Sequence, residues 1–121
     1  MNNKELLKKI INDVETKNYS INFNNGGLGS YHYSDEITNL FKVLDDDYIR
    51  NIYNENIGEY NYDSKKELDQ NTEPESYSLV DCVIYFNWIW HLESGIAVGI
   101  VKRRIEEGKY LRALKKFYEL I

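Results

Sequence analysis

The stretch from Tyr77 to Glu93, YSLVDCVIYFNWIWHLE, limits the fold more than any other part of the chain. From Leu79 to Leu92 the residues are nearly all apolar, broken only by Asp81, Asn87 and His91. The β-branched and aromatic content would suit a strand, but buried strands end after about 4–8 residues, so the length predicts a helix. The run falls short of the roughly 20 apolar residues needed to cross a bilayer. Apolar side chains on nearly every side of such a helix require neighbours packed all around it. The chain is therefore expected to be built around this segment.

The flanking sequence supplies those neighbours. Leu6, Leu7, Ile10, Ile11 and Val14 recur at helical spacing over residues 3–16, with Asn2 or Asn3 as the cap. Tyr19, Ile21 and Phe23 alternate with polar residues, NNGGLG follows, and SYHYS alternates again. Residues 19–33 therefore read as a β-hairpin, its glycines permitting a tight turn. Ser34-Asp35-Glu36 opens a helix carrying Ile37, Leu40, Phe41 and Leu44. Asp45-Asp46-Asp47 ends it and caps another, with Tyr48, Ile49, Ile52 and Tyr53 on its apolar side. Tyr60 and Tyr62 suggest a short strand. Residues 63–76, with Leu68 as their one large apolar side chain and the only proline, read as a solvated loop. Ser94-Gly95 offers a hinge, Ile96, Ile100, Val101 and Ile105 a further helix stopped by Gly108, and Leu111, Leu114, Phe117 and Ile121 a last one. The expectation is an α+β fold: one mainly helical domain over residues 1–121, of four to five helices, with one small antiparallel hairpin near residues 19–33.

No motif names a reaction. Cys82 and His91 lie nine positions apart, which on one helix separates them by about 13 Å and points them to opposite sides, so they form no nucleophile–base pair. The two histidines, His32 and His91, stand in no metal-binding spacing. The loop Asn25-Gly26-Gly27-Leu28-Gly29 matches neither phosphate-binding glycine pattern. No catalytic residue, metal or cofactor is assigned, and the chain reads as a non-enzyme.

Asn87, His91 and Ser94 fall at i, i+4 and i+7, on one face of the central helix. The favoured reading makes them satisfied core groups bonded to loop carbonyls, with His91 buried. The alternative is a polar groove for a small ligand or nucleotide, formed by Asn87, Trp88, His91, Ser94 and Gly95 and walled by Trp88 and Trp90.

Charge is the stronger clue to function. The 121 residues carry a net −5, but residues 34–81 hold thirteen acids against four bases, while residues 102–121 hold seven bases against three acids. An acidic chain lacks the basic surface that direct nucleic-acid binding requires; it steers instead toward a basic partner. Tyrosines in the acidic stretch supply interface area. The expected partner-binding residues are Asp45, Asp46, Asp47, Tyr48, Tyr53, Glu55, Glu59, Tyr60, Tyr62 and Asp63. The function this implies is a small acidic inhibitor of a basic, nucleic-acid-handling protein such as a nuclease or toxin, of the immunity-protein or phage anti-defence (anti-CRISPR) type. The lone cysteine and a charged N-terminal segment point to a reducing cytoplasm, and a usage rich in Asn, Ile, Tyr and Lys to an AT-rich bacterial or phage genome. Nothing in the sequence points to a membrane, and a homo-oligomer is compatible with it.

Overall fold

The computed structural model describes residues 2–24 and 29–121. The central helix forms as its length requires: α6, in chain order, spans Leu79–Glu93. A capping box starts it, with Ser78 Oγ accepting from the Asp81 N–H and the Asp81 carboxylate accepting from the Ser78 N–H, both at 3.0 Å. Cys82, Val83, Ile84, Tyr85 and Phe86 are all buried. Five successive positions cover more than a full helical turn, so α6 is enclosed on every side at this level.

Four helices pack directly on it: α4 (Asp47–Asn56), α5 (Tyr62–Gln70), α7 (Ile100–Glu106) and α8 (Lys109–Leu120). An outer helix, α1 (Asn3–Glu15), closes the core against α8 and the short α2 (Asp35–Thr38) and α3 (Leu40–Leu44). Asn2 caps α1 by accepting from the Glu5 N–H. Strands β1 (Ile21–Asn24) and β2 (Ser30–Tyr33) pair antiparallel with Ile21 opposite Tyr33 and Asn24 opposite Ser30. The structure is thus mainly helical with one two-stranded sheet, as the sequence suggests. The turn residues 25–28, which include most of the glycine loop, lie outside the described residues.

Several expectations are corrected. The described residues form eight α-helical segments rather than four or five; α2 and α3 are separated only by Asn39 and act as one kinked helix. The supposed loop at 63–76 contains α5 and a 3-10 turn at Pro74–Ser76, and Tyr60 and Tyr62 belong to no strand. Helix α5 buries only Leu68 and Asp69, so its hydrophobic period is almost silent. It is held by a second capping box, between Asn61 and Ser64, and by an ion pair to α7. The helix expected from Ile96 begins only at Ile100, because Glu93 captures the intervening backbone (below). Tyr48 and Phe23, assigned inward by their spacing, are 64% and 51% exposed.

Candidate functional site

The acidic middle and the basic C-terminal segment meet inside the molecule. Asp69, almost fully buried, takes a two-pronged bond from Arg104, Nε to Oδ1 at 2.7 Å and Nη2 to Oδ2 at 2.8 Å. The carboxylate holds the guanidinium above its already high ordinary pKa. Arg112 binds both Glu73 and Glu75, and Lys109 donates to the backbone carbonyls of Asp69 and Thr72. The bond from Arg112 lowers the Glu75 carboxyl to about 2. Part of the charge contrast seen along the chain thus serves to join α5 and the turn after it to α7 and α8.

The remaining acids divide by role. Asp45 pairs with Arg50. Asp46 caps α4 by accepting from the Tyr48 and Ile49 N–H groups at 3.1 and 3.4 Å. Asp47, Glu55, Glu59 and Asp63 are exposed, and among the described residues none of them takes part in an ion pair. The tyrosines divide too. Tyr48 and Tyr62 are 64% and 62% exposed. Tyr53 is half-buried. Tyr60 donates to Asp81 at 2.7 Å; burial first, and that carboxylate second, push its phenol above the ordinary range. Tyr60 is thus a tie between the 3-10 turn at Ile57–Glu59 and α6 rather than a free anchor.

The proposed groove is partly assembled. Asn87, Trp88 and His91 line a cleft of about 150 Å³ with Tyr53, Ile57 and Lys65. Tyr62 packs its ring against Trp88 edge to face at 5.5 Å, and the Lys65 ammonium lies 5.4 Å from the Trp88 ring centre. Ser94 and Gly95 are not part of it: α6 ends at Glu93, and they turn into a different cleft. Nor are the three polar residues a buried network. Asn87 donates to the Val83 carbonyl at 2.8 Å and Ser94 to the His91 carbonyl at 2.6 Å, both within α6 and its cap, while His91 is exposed. The helix satisfies its own polar groups, so loops are not needed to do it. Cys82 is buried, and burial pushes its thiol up to about 12, which leaves it inert as a nucleophile. Among the described residues no group of three or more His, Cys, Asp and Glu side chains is placed to hold a metal ion, and no helix is long and apolar enough to cross a membrane.

Comparison of the chain with protein-family models, with characterised proteins and with solved structures finds no match. Function must therefore be argued from geometry.

One arrangement has no signal in the linear sequence. Glu93, at the last turn of α6, accepts the Gly99 N–H at 2.7 Å, the Val101 N–H at 3.0 Å and the Tyr33 hydroxyl at 2.6 Å. Tyr33 in turn accepts the Lys102 N–H at 3.1 Å. Burial first, then the Glu93 carboxylate, hold the Tyr33 phenol well above its ordinary pKa, so it remains a donor. This clamp joins the hairpin, α6 and α7 and shapes the 94–99 connection. Gly99 has φ +91°, and a Cβ there would lie 2.9 Å from the Tyr31 ring; only glycine lets that ring seat. The partners of Glu93 are six, eight and sixty positions away in sequence, which is why helical or strand periodicity does not reveal it.

Proposed function

We propose that this protein binds a basic surface of a protein partner through the outer side of α4 and the start of α5, and inhibits the partner by covering that surface. The observation that supports this reading is the set of four exposed carboxylates, Asp47, Glu55, Glu59 and Asp63, none of which takes part in an ion pair among the described residues. Tyr48 and Tyr62 flank the set and offer the amphipathic contact area that interfaces favour. Uncompensated surface charge steers encounter with an oppositely charged partner. A nuclease or toxin, whose own site must attract phosphate, is the class of partner with such a surface.

The cleft at Trp88 fits this reading better than a nucleotide site. Its volume of about 150 Å³ is below the roughly 300 Å³ at which small-molecule sites begin, and suits one side chain of a docked partner.

The test is kinetic. A partner is isolated on the immobilised protein, identified, and its association rate measured as ionic strength rises from about 0.01 to 0.15 M, which shortens the Debye length from about 30 to about 8 Å. The rate should fall steeply, and the combined variant D47N/E55Q/E59Q/D63N should associate more slowly at low salt while remaining folded. A rate equal to that of the parent at low salt would remove α4 and α5 from the interface.

A further inference from the structure

A larger cleft lies elsewhere, between the hairpin and the C-terminal end of α6. Its volume is about 590 Å³, within the range of roughly 300–1,000 Å³ typical of small-ligand sites. Tyr31, Phe41 and Trp90 line it, with Glu93 as the one charged side chain among the described lining residues and Ser30 and Ser94 as further polar groups. The rings belong to one linked set: Phe41 meets Trp90 edge to face at 4.8 Å, Trp90 meets Tyr33 at 5.1 Å, and Tyr33 meets Tyr31 at 6.4 Å.

Three features show that this is a built site and not a gap in packing. The Trp90 indole is oriented by its N–H, which donates to the buried Tyr110 hydroxyl at 3.1 Å. Tyr31 is seated on Gly99, where no side chain fits. Glu93 is fixed by its three hydrogen bonds. All three donors are neutral, and among the described residues no cation pairs with this carboxylate. Lys102, whose ammonium lies 5.9 Å from the Tyr31 ring centre, pairs with Glu106 at 2.6 Å instead.

A half-buried carboxylate without a counter-charge favours a cation beside it. The electron-rich faces of Tyr, Phe and Trp favour the same ligand, most strongly when it is organic and weakly hydrated. We propose that this cleft binds an organic cation, an ammonium or guanidinium group, held among the rings of Tyr31, Phe41 and Trp90 and beside the Glu93 carboxylate. The site is separate from the α4–α5 surface and does not depend on its role. The cation can come from a free small molecule or from a lysine or arginine side chain, and the test separates the two.

Choline, N-acetyl-arginine amide and the uncharged choline isostere 3,3-dimethylbutanol are titrated into ¹⁵N-labelled protein. Saturable shifts of the Gly99 and Val101 amides and of the Trp90 indole N–H are expected with the cations and not with the alcohol. A response to choline points to a free cation; a response to the arginine amide alone points to a protein side chain. Phe41 is 38% exposed and makes none of the clamp bonds, so Phe41→Ala should fold normally and weaken the bound cation by about 2- to 30-fold, the range spanned by one cation–π contact. Glu93→Gln should reduce the preference for cation over alcohol, the rings keeping their share of it. The proposal is overturned if neither cation produces saturable shifts, if the alcohol matches choline, or if Phe41→Ala leaves the affinity unchanged.

Discussion

Replacing Tyr85 by Phe should make the protein more stable. Tyr85 is fully buried, packed against Tyr77 and Phe86 with ring centres 5.4 and 5.2 Å away, and its hydroxyl has no hydrogen-bond partner among the described residues. Burial holds this phenol far above its ordinary pKa, so charge gives it no outlet either. An unsatisfied buried polar group costs about 1–3 kcal/mol. Removing the oxygen leaves a void of about 12 Å³, worth roughly 0.3 kcal/mol at about 24 cal/mol per Å³. The net gain is therefore about 0.7–2.7 kcal/mol. For 121 residues the unfolding entropy is about 250 cal/mol/K, so each kcal/mol is worth about 4 °C and Tm should rise by about 3–11 °C. Thermal unfolding followed by circular dichroism, with denaturant melts beside it, gives both numbers. The same change at two other buried tyrosines is the internal control. Tyr77 donates to the Leu68 carbonyl and Tyr110 accepts the Trp90 indole N–H; their Phe variants each strand a partner and should lose about 1–3 kcal/mol. A Tyr85→Phe protein that melts below the parent would refute the claim that the hydroxyl is unpaired.

Two further outcomes follow from the ion pairs that hold α5 and the turn after it. Asp69→Asn leaves Arg104 buried against a neutral amide and should destabilise by about 3–5 kcal/mol in denaturant melts, with loss of amide protection concentrated in α5; a cost below about 1 kcal/mol would show that the pair is dispensable. The Glu75 carboxyl, held at about 2 against an ordinary value of 4.5 by the Arg112 bond, contributes stability that is complete above the ordinary value and is lost as pH falls through about 2; an NMR titration should place its midpoint there, Arg112→Ala should return it toward 4.5, and a normal midpoint in the parent would show that the bond does not persist in solution.

The linear sequence determined the scaffold because the scaffold rests on local rules. The length of the 79–92 apolar run made α6 a helix and its all-round hydrophobicity made it central. Asn2, Ser34 and Asp46 stand where helices begin, and Gly108, at φ +85°, where one ends. These are effects of neighbours within a few positions. Helix α5 was hidden because its one buried aliphatic residue gives no period, and its tie to the rest of the fold runs through Arg104, thirty-five positions beyond Asp69. The exposed carboxylates on α4 and α5 could be found from composition, but which acids stay free depended on where Arg104 and Arg112 come to rest. His91, read as a core group, is exposed because the face it occupies at the end of α6 is left open. The Glu93 clamp and the aromatic cleft were decided by tertiary structure alone. Tyr31 and Tyr33 come from β2, Phe41 from α3, Trp90 and Glu93 from α6, and Gly99 from the connection to α7. No periodicity links such residues; only packing brings a carboxylate without a cation against rings that share its preference for one.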